Sequence, residues 1–219
     1  MYKLTRQYAK AQQAINTSLQ LNPDDTDSYS MAASIYHGQG KTDKMLAAAG
    51  SGLALDPEHR TCWNMRILAL LSLGRMAEAE ADIKRSLQRY PDQAFSHAAQ
   101  GWSATYQGKK AQSLDAFKTA LQINPNSEWA REGLIEALKA QNGLYQFILR
   151  YDLWQASFRA SNPGIFWAMW LLLLLPPVRA IYLIVVLLTW LLKAFFNLLL
   201  RFDPYGRLLF AQKEKRKRG

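Results

Sequence analysis

Pro23, Pro57, Pro91 and Pro125 stand 34 residues apart, and each closes a near-copy of one phrase: LQLNP, LALDP, LQRYP and LQINP. A fixed period of this length with proline at the turn predicts an array of helical hairpins. One such hairpin cannot bury its apolar face alone, so successive pairs must stack into a shared core. Arrays of this kind bind other molecules, and the period therefore sets a class of function before any single residue is weighed.

Each repeat can be built from helical spacing and turn chemistry. Between Thr26 and Pro57, Tyr29, Ala32, Ala33 and Tyr36 keep one apolar stripe until Gly38-Gln39-Gly40 interrupts it. Met45, Ala48, Ala49, Gly52 and Leu53 carry a second stripe to Asp56-Pro57. The next repeat runs Trp63, Ile67, Leu70, Gly74, Ala79, Ile83, Leu87 and Pro91, and the third runs Gly101, Ala104, Gly108, Phe117, Ala120, Leu121 and Pro125. Glycine suits the end of the first helix, where a left-handed residue stops the run. Proline ends the second, because it lacks an N–H and clashes with the preceding turn. Small residues such as Ala33, Ala79, Gly101 and Ala120 let paired helices approach closely.

These residues resemble the tetratricopeptide repeat over roughly Met1 to Gly143, including the Trp63, Gly74, Ala79, Leu87 and Pro91 pattern. The resemblance implies an all-α helical-hairpin solenoid: a half repeat at 1–23, full repeats at 26–57, 60–91 and 94–125, and a capping helix at 128–141. Three departures stand out. Met45 occupies a place where a small residue is usual, Arg66 one where Leu is usual, and Ala49 one where a large residue is expected. The array also opens in mid-repeat, since Tyr8, Ala11, Ile15, Leu19 and Leu21 fit a second helix with no first helix before it.

Charge is lopsided. Residues 1–162 carry 18 Lys/Arg against 15 Asp/Glu, whereas residues 163–219 carry 9 against 2. The single cysteine, Cys62, excludes an internal disulfide framework and fits a reducing compartment. The opening MYKLTRQYAK has no apolar core, so no cleavable signal peptide is expected there.

From Ile165 to Leu200 the only charges are Arg179 and Lys193. Two apolar runs lie within, IFWAMWLLLLLPPV and AIYLIVVLLTWLLKAFFNLLL, divided near Pro176-Pro177. A span needs about 20 apolar residues, a length that only the second run reaches. The expectation is a membrane-inserted hairpin over 163–200, spanning or re-entrant, behind an interfacial amphipathic linker at 144–162. A basic tail follows at 201–219, with Arg201, Arg207, Lys213, Lys215, Arg216, Lys217 and Arg218 available to a membrane surface. Basic flanks stay cytoplasmic, and a hairpin then keeps both ends on that side. The run GLIEALKAQNGLYQFILRYDLW, the apolar pair and NLLLRFDPYGRLLF together resemble a group of bacterial tetratricopeptide membrane proteins. That resemblance implies an inner-membrane protein with a cytoplasmic repeat domain.

In tetratricopeptide arrays the first helices of successive pairs line a concave groove. By this resemblance the groove positions are Asp27, Ser30, Ser34 and His37, then Thr61, Asn64, Leu68 and Leu71. Phe95, Ala98, Trp102, Thr105 and Tyr106 follow, and Trp129, Glu132 and Glu136 close the series. Asn64, Leu68, Leu71, Phe95, Trp102, Tyr106 and Trp129 are the candidate partner-binding residues, since aromatic anchors carry much of the energy of an interface. The same rings could instead pack between neighbouring repeats. Chaperone-binding members clamp a carboxylate with Lys and Asn, but Ser30, Ser34, Phe95 and Ala99 stand at the corresponding places.

Catalytic readings find little. Gly38-Gln-Gly-Lys-Thr42 is similar to a phosphate loop, but Ile35 stands where the motif needs another glycine. His37, His59 and His97 are scattered, and Cys62 has no histidine at activating spacing. The carboxylates Asp24-Asp25 and Glu78/Glu80/Asp82 read as helix caps or a solvated face. The expectation is a non-enzymatic module with no cofactor, no metal, no nucleic acid and no small-molecule substrate. It would recruit a protein partner at the cytoplasmic face of a membrane, or, alternatively, serve as a permanent structural subunit of a larger membrane complex.

Overall fold

Gly40, Gly74 and Gly108 repeat the 34-residue spacing, and all three adopt positive φ, at 68°, 71° and 77°. In each case the next N–H reaches five residues back: Lys41 N to Tyr36 O, Arg75 N to Leu70 O and Lys109 N to Ala104 O, each at 2.9 Å. This closes the first helix of the pair and reverses the chain, a conformation that a Cβ would strain.

The second turn of the period works through side chains. Asn22, Asp56 and Asn124 accept bonds from the backbone N–H groups of Asp24, Glu58 and Asn126, at 3.4, 2.8 and 3.0 Å. Each mimics a backbone turn just where proline follows. Tyr90 holds the fourth place and cannot do this. Its hydroxyl instead donates to Glu58 O at 3.1 Å, and Arg60 lies over its ring at 4.8 Å.

The computed structural model describes residues 2–161, 164 and 176–200. Its helices are α1 (Tyr2–Leu21), α2 (Thr26–Gly38), α3 (Thr42–Leu55), α4 (Arg60–Ser72), α5 (Met76–Arg89), α6 (Ala94–Gln107), α7 (Lys110–Ile123), α8 (Glu128–Lys139), α9 (Gly143–Ser161) and α10 (Pro176–Leu200). The chain divides into two compact units, residues 1–91 and 92–219.

In the first unit, α1 packs on α2, α2 pairs with α3, and α4 packs on α3 and α5. The core joins Ala33, Met45, Ala49 and Ala69. The departures at 45 and 49 compensate each other one helical turn apart. A large Met45 faces a small Ala49, whereas the next repeat buries small Ala79 with large Ile83 and the third buries Ser113 with Phe117.

Arg66 is explained in the same way. Its Nε donates to Asp82 Oδ2 at 2.7 Å, and Arg85 approaches the same carboxylate at 3.6 Å. Asp82 is only 2% exposed, so it belongs to no solvated face. Stripe reasoning misplaced it because its partner lies on the preceding helix. Cys62 is fully buried beside Gly52. Burial, with Asp56 and Asp27 adding, pushes its thiol up to about 11, which leaves it a core side chain without nucleophilic character.

In the second unit, α6 pairs with α7, and α8 packs on both. Phe117 is fully buried against Ala98, Ala120, Ala130 and Ala137. Two glycines make room for it: a Cβ on Gly101 would lie 2.8 Å from the ring, and one on Gly133 would overlap it. Helix α9 crosses to the C-terminal end of α6. Gln146 Nε2 donates to Thr105 O and Tyr106 O at 2.9 and 3.4 Å, and Arg150 donates to Gln107 O at 3.1 Å. The bonds to Tyr106 O and Gln107 O satisfy carbonyls that every helix end leaves open. Residues 144–161 thus form more than a linker, because Tyr145, Ile148 and Leu149 are buried in the unit.

Helix α10 packs on α8 and α9. Its backbone is described throughout and its side chains only in part, and among the described residues no helix is long and apolar enough to cross a membrane. Residues 165–175 of the first apolar run and the tail at 201–219 lie outside the described residues, while the end of that run, 176–178, opens α10.

Candidate functional site

The expected groove positions fare differently in the two units. In the first unit Ser30 is buried and its hydroxyl donates to Asp27 O at 2.9 Å, while Ser34 donates to Ser30 O at 3.0 Å. Asp27 meets His59 Nε2 at 3.0 Å, and His59 Nδ1 accepts from Cys62 N, capping α4. Because Nδ1 accepts, the ring proton sits on Nε2 and is donated to Asp27. Asn64 and Leu68 are half-buried, and Leu71 is only 5% exposed, which makes it part of the packing.

In the second unit the candidate rings meet. Phe95 stacks on Trp129 with centroids 4.8 Å apart, Trp129 stacks on Trp102 at 6.3 Å, and Trp102 stacks on Tyr106 at 5.8 Å. Phe117 supports Trp102 edge-on at 5.8 Å. The four rings of the column are half-buried, so each is both packed and partly open. Helix spacing explains the order. Phe95, Trp102 and Tyr106 lie seven and four residues apart on one face of α6, and α8 brings Trp129 between the first two. Ser127 sets the start of α8 by accepting from Ala130 N at 3.2 Å.

Two features give the column polarity. The indole Nε1 of Trp102 is buried and has no hydrogen-bond partner among the described residues. A buried donor left unmade costs about 1–3 kcal/mol, so this indole edge is an unfavourable spot in the packing. At the other end, burial pushes the Tyr106 phenol up to about 12, with Glu136 and Asp152 adding to the shift. Glu136 is itself tied down: it accepts from Tyr145 Oη at 2.5 Å and from Lys139 Nζ at 3.1 Å, and Lys139 lies over the Tyr145 ring at 5.6 Å. Burial and this carboxylate together raise the Tyr145 phenol, which stays protonated as the donor.

No group of three or more His, Cys, Asp or Glu residues capable of holding a metal occurs among the described residues. The column offers flat, partly open apolar faces, a surface suited to binding. Arg201, Arg207, Lys213, Lys215, Arg216, Lys217 and Arg218 lie outside the described residues. Sequence reasoning missed the role of Gln146 and Arg150 as end-caps of α6. The left-handed Gly108 beside them was the available signal, because it marks where α6 leaves its carbonyls open.

Comparison with known proteins agrees with the repeat fold. Residues 39–94 match the family model of the tetratricopeptide repeat. A 101-residue stretch, 46% of this chain, is 27% identical to the Hsp70-Hsp90 organizing protein of Triticum aestivum and spans 17% of that relative. The first tetratricopeptide domain of the human RPAP3 protein superposes with a TM-score of 0.50 at 19% identity, over 57% of this chain and 98% of that one. The MamA protein gives 0.49 at 13% identity, over 74% and 97%. At its identity the RPAP3 domain speaks for the fold alone. The fold is an all-α solenoid of the tetratricopeptide type, and such repeats are in general non-enzymatic protein-interaction modules.

Proposed function

We propose that this chain is a tetratricopeptide interaction module whose second unit takes an apolar segment of a protein partner on the Phe95–Trp129–Trp102–Tyr106 column. The observation that carries the reading is the stack itself, with the partnerless Trp102 N–H inside it. The side chains of the bound segment would cover the exposed ring faces. A carboxylate clamp plays no part, since Ser30 and Ser34 bond to their own helix and Ala99 is fully buried.

We further propose that the module works at the cytoplasmic face of a membrane, held there by its C-terminal helices. Leu183, Ile184, Val186, Leu187, Leu188, Trp190, Leu191, Phe195 and Leu198 of α10 are 46–66% exposed. At 100° per residue they cover an arc of about 200°. Half-buried Tyr182 and Leu192 flank the remaining face. An apolar surface this wide calls for a solvent other than water. The excess of 9 Lys/Arg over 2 Asp/Glu in 163–219 supports a cytoplasmic setting.

One observation favours the second reading, a permanent subunit of a larger membrane complex. Leu21 is 83% and Met31 57% exposed in the first unit, as surfaces covered by another chain would be. Affinity purification in mild detergent with mass spectrometry tests both readings, run beside the Trp102→Ala/Trp129→Ala variant. A partner lost from a variant that keeps its helical signal supports recruitment through the column. A partner that stays at fixed stoichiometry favours the permanent subunit. A reporter fused after Gly219 should read cytoplasmic, and a reading from the opposite side would sink the topology.

A further inference from the structure

Helix α9 has two apolar faces, one buried in the unit and the other largely exposed. Tyr145, Gln146, Ile148 and Leu149 are buried against the second unit. On the opposite side Phe147, Tyr151, Trp154 and Phe158 follow one another at four, three and four residues, within an arc of about 60°. Phe147 is 68%, Trp154 55% and Tyr151 40% exposed. The rings lie along the helix, with Tyr151 and Trp154 centroids 6.0 Å apart and Trp154 and Phe158 5.4 Å apart.

We infer that this stripe lies at the headgroup level of a lipid bilayer and fixes the angle at which the second unit stands to the membrane. The inference rests on the membrane reading given above. Four features select lipid as the occupant. The ring types are those that settle at membrane interfaces, and Tyr and Trp keep a polar edge toward the headgroups. Helix α10, which packs on α9, carries the wide apolar arc. Arg150 is exposed beside the stripe, and Arg159 follows in the sequence, as attraction to anionic headgroups requires. A second copy of the chain is a poor fit, because the exposed part of these rings amounts to roughly 350 Å². A stable interface needs about 800 Å² per partner.

The orientation follows from how α9 is held. Gln146 and Arg150 bond to the carbonyls of Thr105, Tyr106 and Gln107 at the end of α6, the helix that carries Trp102 and Tyr106. The depth of the stripe is therefore passed directly to the aromatic column, which is presented at a set height above the bilayer.

The test uses the full chain reconstituted in vesicles of phosphatidylcholine and phosphatidylglycerol, with nitroxide labels at Phe147→Cys, Trp154→Cys and, as a water-facing reference, Lys84→Cys. Cys62 is left in place, since it is fully buried. Labels at 147 and 154 should be several-fold more accessible to oxygen than to a water-soluble nickel chelate, with the reverse at 84. Vesicle flotation is read in parallel. If the chain floats but 154 reads like 84, the inference is overturned while the membrane reading stands. If the chain does not float, the membrane reading fails and takes the inference with it. Labels at 154 shielded from both relaxers and broadened by a second label would assign the stripe to another copy and overturn the lipid reading.

Discussion

The two units apply one repeat to different ends. Positions 34 and 68 in the first unit hold Ser and Leu, against Trp102 and Glu136 in the second. Positions 27 and 61 hold Asp and Thr, against Phe95 and Trp129 in the second unit. The first unit spends its unusual residues inside, on the Arg66–Asp82 pair and the Met45/Ala49 exchange. The second spends them on a half-open column of rings. Turn chemistry is common to both, so the scaffold places no demand on what the groove-side positions hold. Core and face vary independently on a fixed set of turns.

The largest expected effect breaks the second unit from below. Phe117→Ala removes the ring that fills the space between Gly101 and Gly133 and supports Trp102. A loss of about 4 kcal/mol is expected, read by denaturant unfolding, together with altered near-ultraviolet dichroism from the column. The first unit breaks through its charge pair. Arg66→Met should cost about 3 kcal/mol by leaving a buried carboxylate with only the more distant Arg85. Adding Asp82→Ala should restore most of it, since the equivalent pairs elsewhere are Ala32 with Ala48 and Gln100 with Ala116. A double variant as unstable as the single one would show that the pair does more than compensate itself.

Placing the first unit's residue in the second sharpens the comparison further. Trp102→Leu should cost about 2 kcal/mol through lost ring stacking. It should also abolish partner capture while helicity by circular dichroism stays unchanged. The smallest effect concerns pH. The Cys62 thiol is raised from 9.0 to about 11 in the folded chain, so the unfolded chain ionises first. Stability is therefore unaffected below pH 9 and falls between pH 9 and about 11. Unfolding midpoints across that window should fall more steeply for the native chain than for Cys62→Ser, and equal slopes would contradict the shift.

The helical pairing was legible because proline and glycine declare backbone constraints at the residue itself. The phrase ending at Pro57 and the glycine at 74 each mark a turn with no reference to any distant residue. The pair at 66 and 82 was legible only as an anomaly. Arg66 stood out, but nothing local to Asp82 distinguishes a buried carboxylate from Glu78 and Glu80, four and two residues before it on the same helix. The rings of the column were named as candidates from the resemblance to tetratricopeptide grooves, whereas their mutual stacking depends on how α8 inserts Trp129 between Phe95 and Trp102. The inner face of α9 was hidden for a related reason. Apolar residues cover both of its sides, and a stripe on each side cancels the asymmetry from which a buried face is read.

The three left-handed glycines carry a consequence for how such a chain can grow. Because Gly40 and Gly74 adopt nearly the same backbone angles at the same point of the repeat, residues 41–74 form a block whose two joints match. Duplicating that block in the gene would splice one identical corner onto another and add one hairpin with every turn intact. An insertion of any other length between the two corners would shift the helices that follow out of phase with their neighbours. The glycines thus act as a ruler, admitting new material in whole repeats and rejecting fractions of one.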